Sequence, residues 1–324
     1  MQRRALQAVK AMVAVAVLLA GACASAQPYP ARPIRVLHGF AAGGPPDAIL
    51  RQVAARLEKS LGWTIVVENR PGASGTIAAL AVARAAPDGY TWLFGVAANL
   101  ALAPASMNPP PYDPVAAFTP IVEVARGPYV WLVRADAPAT SMAEFIAWAK
   151  SRPGRLNYAS PGEGSVHHLA TEMLKDATAI DIVHVPYSGG VYVALLSGQV
   201  DAMFESMPGP VPHLAAGKLR ALGVTGNRRL SALPDVPTLA DQGIAGIDVN
   251  SWWGFVGPAG MDKAIVDRLN VEITRALLDA ETASSLARMG IEASPGTPAA
   301  FGSYIAQEYS RWQARLARVR PKTP

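Results

Sequence analysis

The chain of 324 residues contains one cysteine, Cys23. A disulfide scaffold is excluded, and so is a zinc site built from several thiolates. Charged residues are scarce at 16%, against 51% apolar residues, which excludes a disordered chain. Past residue 26, no charge-free apolar run reaches the ~18 residues a membrane-spanning helix needs. Also missing are the nucleophile elbow of hydrolases, the H-E-x-x-H zinc helix, the P-loop and the dinucleotide fingerprint. Only five histidines occur, and the adjacent His167 and His168 would point about 100° apart on a helix, which chelates poorly. Nothing joins a nucleophile to a base and an orienting acid. The chain therefore reads as a non-enzyme with no cofactor and no metal.

What is present begins with Arg3, Arg4 and Lys10, followed by the apolar run Ala11–Ala20 and the small residues Ala24-Ser25-Ala26. That is the pattern of a secretory signal peptide over 1–26, cleaved after Ala26. Cleavage takes the formal charge from +5 to about +2, so the basic balance does not argue for a nucleic-acid partner. Lipid anchoring at Cys23 is the rival reading, but Ala20-Gly21-Ala22 before it lacks a leucine. The expectation is an exported periplasmic protein.

Beyond the leader, strand-like and helix-like stretches alternate, which predicts α/β layers. Strands are expected at 34–37, 64–68 and 90–96, with helices over 49–61, ended by Gly62, and 76–85. Six prolines between Ala103 and Pro120 predict irregular chain. Two strands at 121–124 and 129–133 then open a second α/β unit. In it Ser141 caps a helix, 155–159 is a strand, 166–175 a helix, and 182–185, 202–204 and 219–224 are short strands. Residues 249–256 return the chain to the first unit, with helices at 263–279 and 297–318. Trp252-Trp253 reads as packing at this return, with stacking on an aromatic ligand left open. Arg311, Arg315, Arg318 and Arg320 read as a solvated basic face.

Each unit contains one strand–loop–helix junction rich in small residues: Phe40–Asp47 and Ser160–His168. At a helix start the first N–H groups lack intrahelical partners and the dipole adds partial positive charge, so a carboxylate is attracted there without Lys or Arg. Either loop alone is also what an ordinary βα turn looks like. Both together, on an exported chain without cysteine, point to a binder of small anions.

The order of several motifs resembles the Bug family, the extracytoplasmic solute receptors of tripartite tricarboxylate transporters. The markers are Tyr29–Ile34, Ala41–Pro45 with Asp47, Val67–Ala73, Pro87–Thr91, Tyr158–Ser160 with Gly162, Gly164, Ser165 and His168–Ala170, Val185–Tyr187, Gly198–Asp201 and Leu233–Thr238. The resemblance implies a two-lobed periplasmic binding protein of the flytrap type, each lobe a sheet flanked by helices, joined by two interlobe crossovers. It places lobe 1 at 27–125 plus 252–324 and lobe 2 at 126–251. By position, Phe40, Gly43, Gly44 and Asp47 face the ligand from one lobe, and Ser160, Gly164, Ser165, His168 and Tyr187 from the other. It implies a small organic acid, amino acid or related carboxylate as ligand, and transporter membrane subunits as partners of a monomer. A sensor subunit presenting the same solute to a signalling kinase is the alternative.

The chain departs from the family pattern at Pro46, where a hydroxyl and an amide are lost, and at Ser188, often Lys. That leaves the amides of Gly44, Asp47 and Ala48 as donors in the first loop, with His38 as a further donor if it titrates. Glu163 either faces solvent or meets a ligand amine. Asn69-Arg70 is expected to pin a loop.

Overall fold

The computed structural model describes residues 29–187 and 189–319. The expected leader, its cleavage site, Cys23, Ser188 and Arg320 lie outside those residues. The compact body described below begins at Pro33.

Its first layer is β1 (Ile34–His38), α1 (Pro45–Leu61), β2 (Ile65–Asn69), α2 (Thr76–Ala83) and β3 (Thr91–Val96). α1 buries Ile49, Leu50, Val53, Ala54 and Leu57, the stripe its helical spacing predicts. It ends where Gly62 takes a left-handed conformation (φ 66°) and its N–H reaches the Glu58 carbonyl, as expected of a C-terminal glycine. β1 lies parallel to both β2 and β3.

The proline-rich stretch is more regular than expected. Residues 98–102 form a π-helical turn, and α3 (Ala103–Ser106) follows with Pro104 in its first turn, where its missing N–H costs nothing. The two strands expected at 121–124 and 129–133 are one, β4 (Phe118–Arg134). Pro120 precedes a register shift, and Pro128 is the last residue registered on β9 before Tyr129 takes up β7. Both prolines thus sit where the ladder is already interrupted or changing partner.

The second layer holds α4 (Met142–Lys150), β5 (Leu156–Ser160), α5 (Val166–Thr178), β6 (Ile182–Pro186), α6 (Val191–Leu196), β7 (Ala202–Ser206), α7 (Val211–Ala215) and β8 (Leu219–Val224). Ser141 caps α4 by accepting from Glu144 N, while Glu144 reaches back to Thr140 N at 2.6 Å. β5 is parallel to β6 and β7, and β4 is antiparallel to β7 and β8. β9 (Asn250–Pro258) returns the chain, antiparallel to β3 and β4. α8 (Lys263–Leu278), α9 (Ala280–Arg288) and α10 (Pro298–Val319) complete it. The short helices α6, α7 and α9 carry too little periodicity to be expected; α9 starts at once after α8 because Asp279 caps it.

The strands join in the order β2-β1-β3-β9-β4-β7-β5-β6, with β8 also on β4. Trp92, Trp131, Trp252 and Trp312 are fully buried. Trp252 packs edge-on against Phe301 and Tyr304, so it is core rather than ligand surface. Arg311 and Arg315 are not a free basic face: both reach Asp248, at 3.5 and 3.0 Å. Among the described residues, no helix is long and apolar enough to cross a membrane, and no group of three acidic, His or Cys side chains is placed to hold a metal ion.

Candidate functional site

The chain enters the first junction from the carboxyl end of β1. Gly39 crosses so close to the next loop that a Cβ there would lie 2.5 Å from the Cα of Gly75. Gly43 turns the chain with φ +80°, and Gly44 precedes α1 without a side-chain cap. Pro45 and Pro46 bring no N–H. The Ala48 amide, expected to be free, is spent on the Gly44 carbonyl at 3.0 Å, the ordinary first bond of the helix. The Gly44 and Asp47 amides find no acceptor among the described residues.

The Asp47 carboxylate does not face outward. It is 2% exposed and accepts from Gly43 N (2.9 Å), Arg51 Nε (2.8 Å) and Asn69 Nδ2 (2.9 Å). Burial alone would raise its pKa, but Arg51, the Gly43 amide and Asn69 together hold it down to about 2. Asn69 also donates to the Phe40 carbonyl at 3.1 Å, so it pins the loop as expected. Gly43 N is consumed in the same network, and of the polar groups of Asp47 its backbone amide is the one without a partner among the described residues. His38 is fully buried, and burial pushes its pKa below the usual value, so it stays neutral and adds no charged donor. Phe40 is half-buried, its ring 5.4 Å from that of His38.

The second junction leaves β5 at Ser160. Gly162 and Gly164 both have positive φ, +139° and +71°. Ser165 caps α5 by accepting from His168 N at 3.2 Å, the structural role open to it from sequence. The Val166 and His167 amides find no acceptor among the described residues. The Ser160 hydroxyl is engaged inside the loop, donating to Gly162 O (3.0 Å), accepting from Gly162 N (3.1 Å) and meeting His184 Nε2 (2.6 Å). Gly164 N donates to His168 Nδ1 at 3.0 Å, so this amide is not free. Tyr187 is tied by its backbone, N–H to Ser160 O at 2.9 Å, and its side chain is half-buried. Glu163 is exposed and makes no hydrogen bond or ion pair among the described residues.

Sequence reading missed His184, Arg51 and the pair His167–Glu205, whose Nε2 and Oε1 are 3.1 Å apart. Arg51 stands one helical turn after Asp47, a spacing that signals an i,i+4 pair. His184 becomes visible only once β5 and β6 are in register, which places it opposite Tyr158.

Strand register relates the two junctions. At the end of β3, Val96 lies opposite Trp253, which lies opposite Ala125 of β4. At the end of β7, Ser206 lies opposite Tyr129 of β4. β1 runs with β3, and β5 with β7. The carboxyl edges of both parallel sets therefore look, from opposite ends, at one stretch of β4 only about 13 Å long. Ligand sites of open α/β sheets lie outside such edges. No hydrogen bond or ring contact joins residues 40–47 to 160–168 among the described residues. Among the cavities are an apolar groove of about 790 Å³ between the start of β4, α8 and α10, and a polar one of about 590 Å³ that includes Arg126, Gly127 and Pro128 of this β4 stretch together with Arg228, Arg229 and Arg311.

A mixed sheet with flanking helices and glycine-bearing helix starts on opposed carboxyl edges is the architecture of periplasmic solute-binding proteins. The family described as tripartite tricarboxylate transporter family receptor matches residues 49–319. The chain is 36% identical over 307 residues to protein BugT of Bordetella pertussis, covering 93% of this chain and 94% of the relative. It superposes on MatC from Rhodopseudomonas palustris with bound malate (TM-score 0.79, 34% identity, 89% of this chain and 99% of that one). It superposes likewise on R. palustris Rpa4515 with adipate (TM-score 0.82, 34% identity, 89% and 97%). The chain belongs to the receptor family of the tripartite tricarboxylate transporters. It is a periplasmic solute-binding receptor, not an enzyme. The relatives give the sensor alternative no support.

Proposed function

We propose that this receptor captures a small carboxylate-bearing solute between a lobe formed by 27–125 plus 252–324 and a lobe formed by 126–251. The carboxylate is held by backbone donors, Gly44 and Asp47 N–H on one side and Val166 and His167 N–H on the other, directly or through water. Phe40, Gly43, Ser160, Gly164, Ser165, His168 and Tyr187 shape the two walls. The observation that carries this reading is that both sets of unpaired amides stand on edges facing the same stretch of β4. Malate and adipate in two relatives support the ligand class.

Ligand touches both walls only when the lobes close, so it selects the closed form, and the transporter's membrane subunits read that form. The receptor acts as a monomer, exported by a leader cleaved after Ala26 rather than anchored at Cys23. Intact mass of the exported protein tests the cleavage.

The test of the ligand class is a thermal melt of residues 27–324 with malate, adipate, amino acids and aromatic acids. Ligand at 100 times its Kd stabilises by about 2.7 kcal/mol, and the melting temperature rises accordingly. Melts that no carboxylate moves would overturn the reading.

A further inference from the structure

Two imidazoles fasten the second junction, and neither belongs to its turn: His168 comes from α5 and His184 from β6. Their rings stack at 4.2 Å with 21° between planes. His168 Nδ1 accepts from Gly164 N, so that nitrogen carries no proton and the ring's hydrogen is on Nε2. At Ser160, one hydroxyl proton must serve three contacts. All three are met when the hydroxyl donates to Gly162 O and accepts from both Gly162 N and His184 Nε2–H.

These assignments make the two rings unequal toward a proton. A proton taken by His184 goes to Nδ1 and leaves the Ser160 contacts intact. A proton taken by His168 has only Nδ1 to go to, the atom that receives the Gly164 N–H. Two donors would then face each other 3.0 Å apart, and the bond is lost. Gly164 stands one residue before the cap of α5, so its release disturbs the helix start that offers amides to the solute.

We propose that His168 is the positioning residue that latches Gly164 in its ligand-competent conformation, and that protonation of its Nδ1 opens the latch and weakens solute binding in acid. This rests on the carboxylate reading above.

The surroundings support a latch closed at neutral pH. Burial pushes the pKa of both rings below the usual value. Glu172, whose Oε1 is 4.0 Å from His168 Nε2, and Glu163 favour the cation, while Lys175 opposes it. Glu172 is itself occupied by the Tyr158 hydroxyl (2.6 Å) and Lys175 (2.9 Å). Tyr158 of β5 covers the stack, 5.0 Å from His184 and 6.4 Å from His168. Two cations in contact repel, so a charge on His184 delays protonation of His168. The sign is diagnostic. Plain attraction between a cationic ring and an anionic solute would strengthen binding in acid; loss of the latch weakens it.

The experiment has two arms. In the ligand-free protein, the ¹⁵N–¹H resonance of Gly164 is followed from pH 8 to 5. It moves with the midpoint of the His168 ring, and His184→Gln, which keeps a donor to Ser160 but removes the competing charge, shifts that midpoint upward. A Gly164 signal that ignores the His168 titration overturns the proposal, and does so even if no substituted protein folds. In the second arm, calorimetry with adipate as probe compares affinity at pH 8 and pH 5.5. The wild type binds more weakly at pH 5.5, by less than tenfold, because a ring whose pKa lies below the usual value is only partly protonated there. His168→Asn, whatever its affinity at pH 8, holds it at pH 5.5. His213→Asn, far from the loop in sequence and stacked on Tyr192, keeps the wild-type fall. Titration of adipate itself is common to all proteins and cancels between them. Affinity that rises in acid, or a His168→Asn profile matching the wild type, overturns the latch. If neither adipate nor malate binds at pH 8, the carboxylate reading fails, while the Gly164 resonance still decides the latch.

Discussion

At the first junction Asp47 gathers Gly43, Arg51 and Asn69; at the second, His168 and His184 gather Gly164 and Ser160. Both arrangements hold a glycine-bearing turn ahead of a helix and leave two or so amides unpaired. The first uses a full negative charge that stays ionised down to about pH 2. The second uses rings that burial holds neutral, with pKa values below the usual one. Two walls of one proposed crevice thus have different tolerances to acid, and the weaker wall sets the limit for the whole.

The sharpest way to break that contrast is Asp47→Ala. It removes the acceptor of the Gly43 N–H and one partner each of Arg51 and Asn69, and should cost about 2 kcal/mol in urea melts at pH 7. A loss below about 1 kcal/mol would mean that the network does not hold the loop. Acid titration of stability comes next. Because the folded pKa of Asp47 lies below its ordinary value, its contribution is complete above about pH 4 and disappears as pH falls through 2. The size is about 2 kcal/mol, read as the difference between wild type and Asp47→Asn across that window. The histidine pair acts earlier. Its folded pKa values also lie below the ordinary one, so the neutral pair stabilises above about pH 6.5 and this contribution falls away on acidification. A stability curve with a single acid step near pH 2 would erase the difference between the walls. The smallest effect is Ser165→Ala, which removes the α5 cap and costs about 1 kcal/mol of stability, with a matching loss of adipate affinity if the helix start bears the solute. Unchanged melting and unchanged affinity would remove Ser165 from both roles.

Much of this was legible in the residues. The stripe Ile49–Leu57 with Gly62 behind it, and Ser141 and Ser165 ahead of apolar runs, located helices because local periodicity and capping are written in consecutive positions. The two junctions were legible for the same reason, as was the shortage of donors caused by Pro45-Pro46. What escaped is set by distant partners. β4 looked broken at Gly127-Pro128 because propensity sees a turn there, while the ladder to β9, whose residues lie more than a hundred positions away, keeps the strand extended. That the Asp47 carboxylate is taken up by Asn69 was not legible because their proximity depends on β1–β2 pairing, and His184 looked like any strand residue until β6 lay beside β5. Family resemblance pointed to positions in the two junctions, but which atoms are already spent could be read only from the folded network.

β4 also dictates an order of assembly. The edge of β3 stays open until β9, at residues 250–258, has emerged, and the residues between them must form a sheet on the far half of the same strand. A nascent chain that has passed Val224 therefore has every strand of the second sheet within reach and an unfinished first one. Pairings of such long sequence separation are slow to form. The molecule is committed to its final shape only when its last third is available, and until then it exposes an unpaired strand to whatever accompanies it.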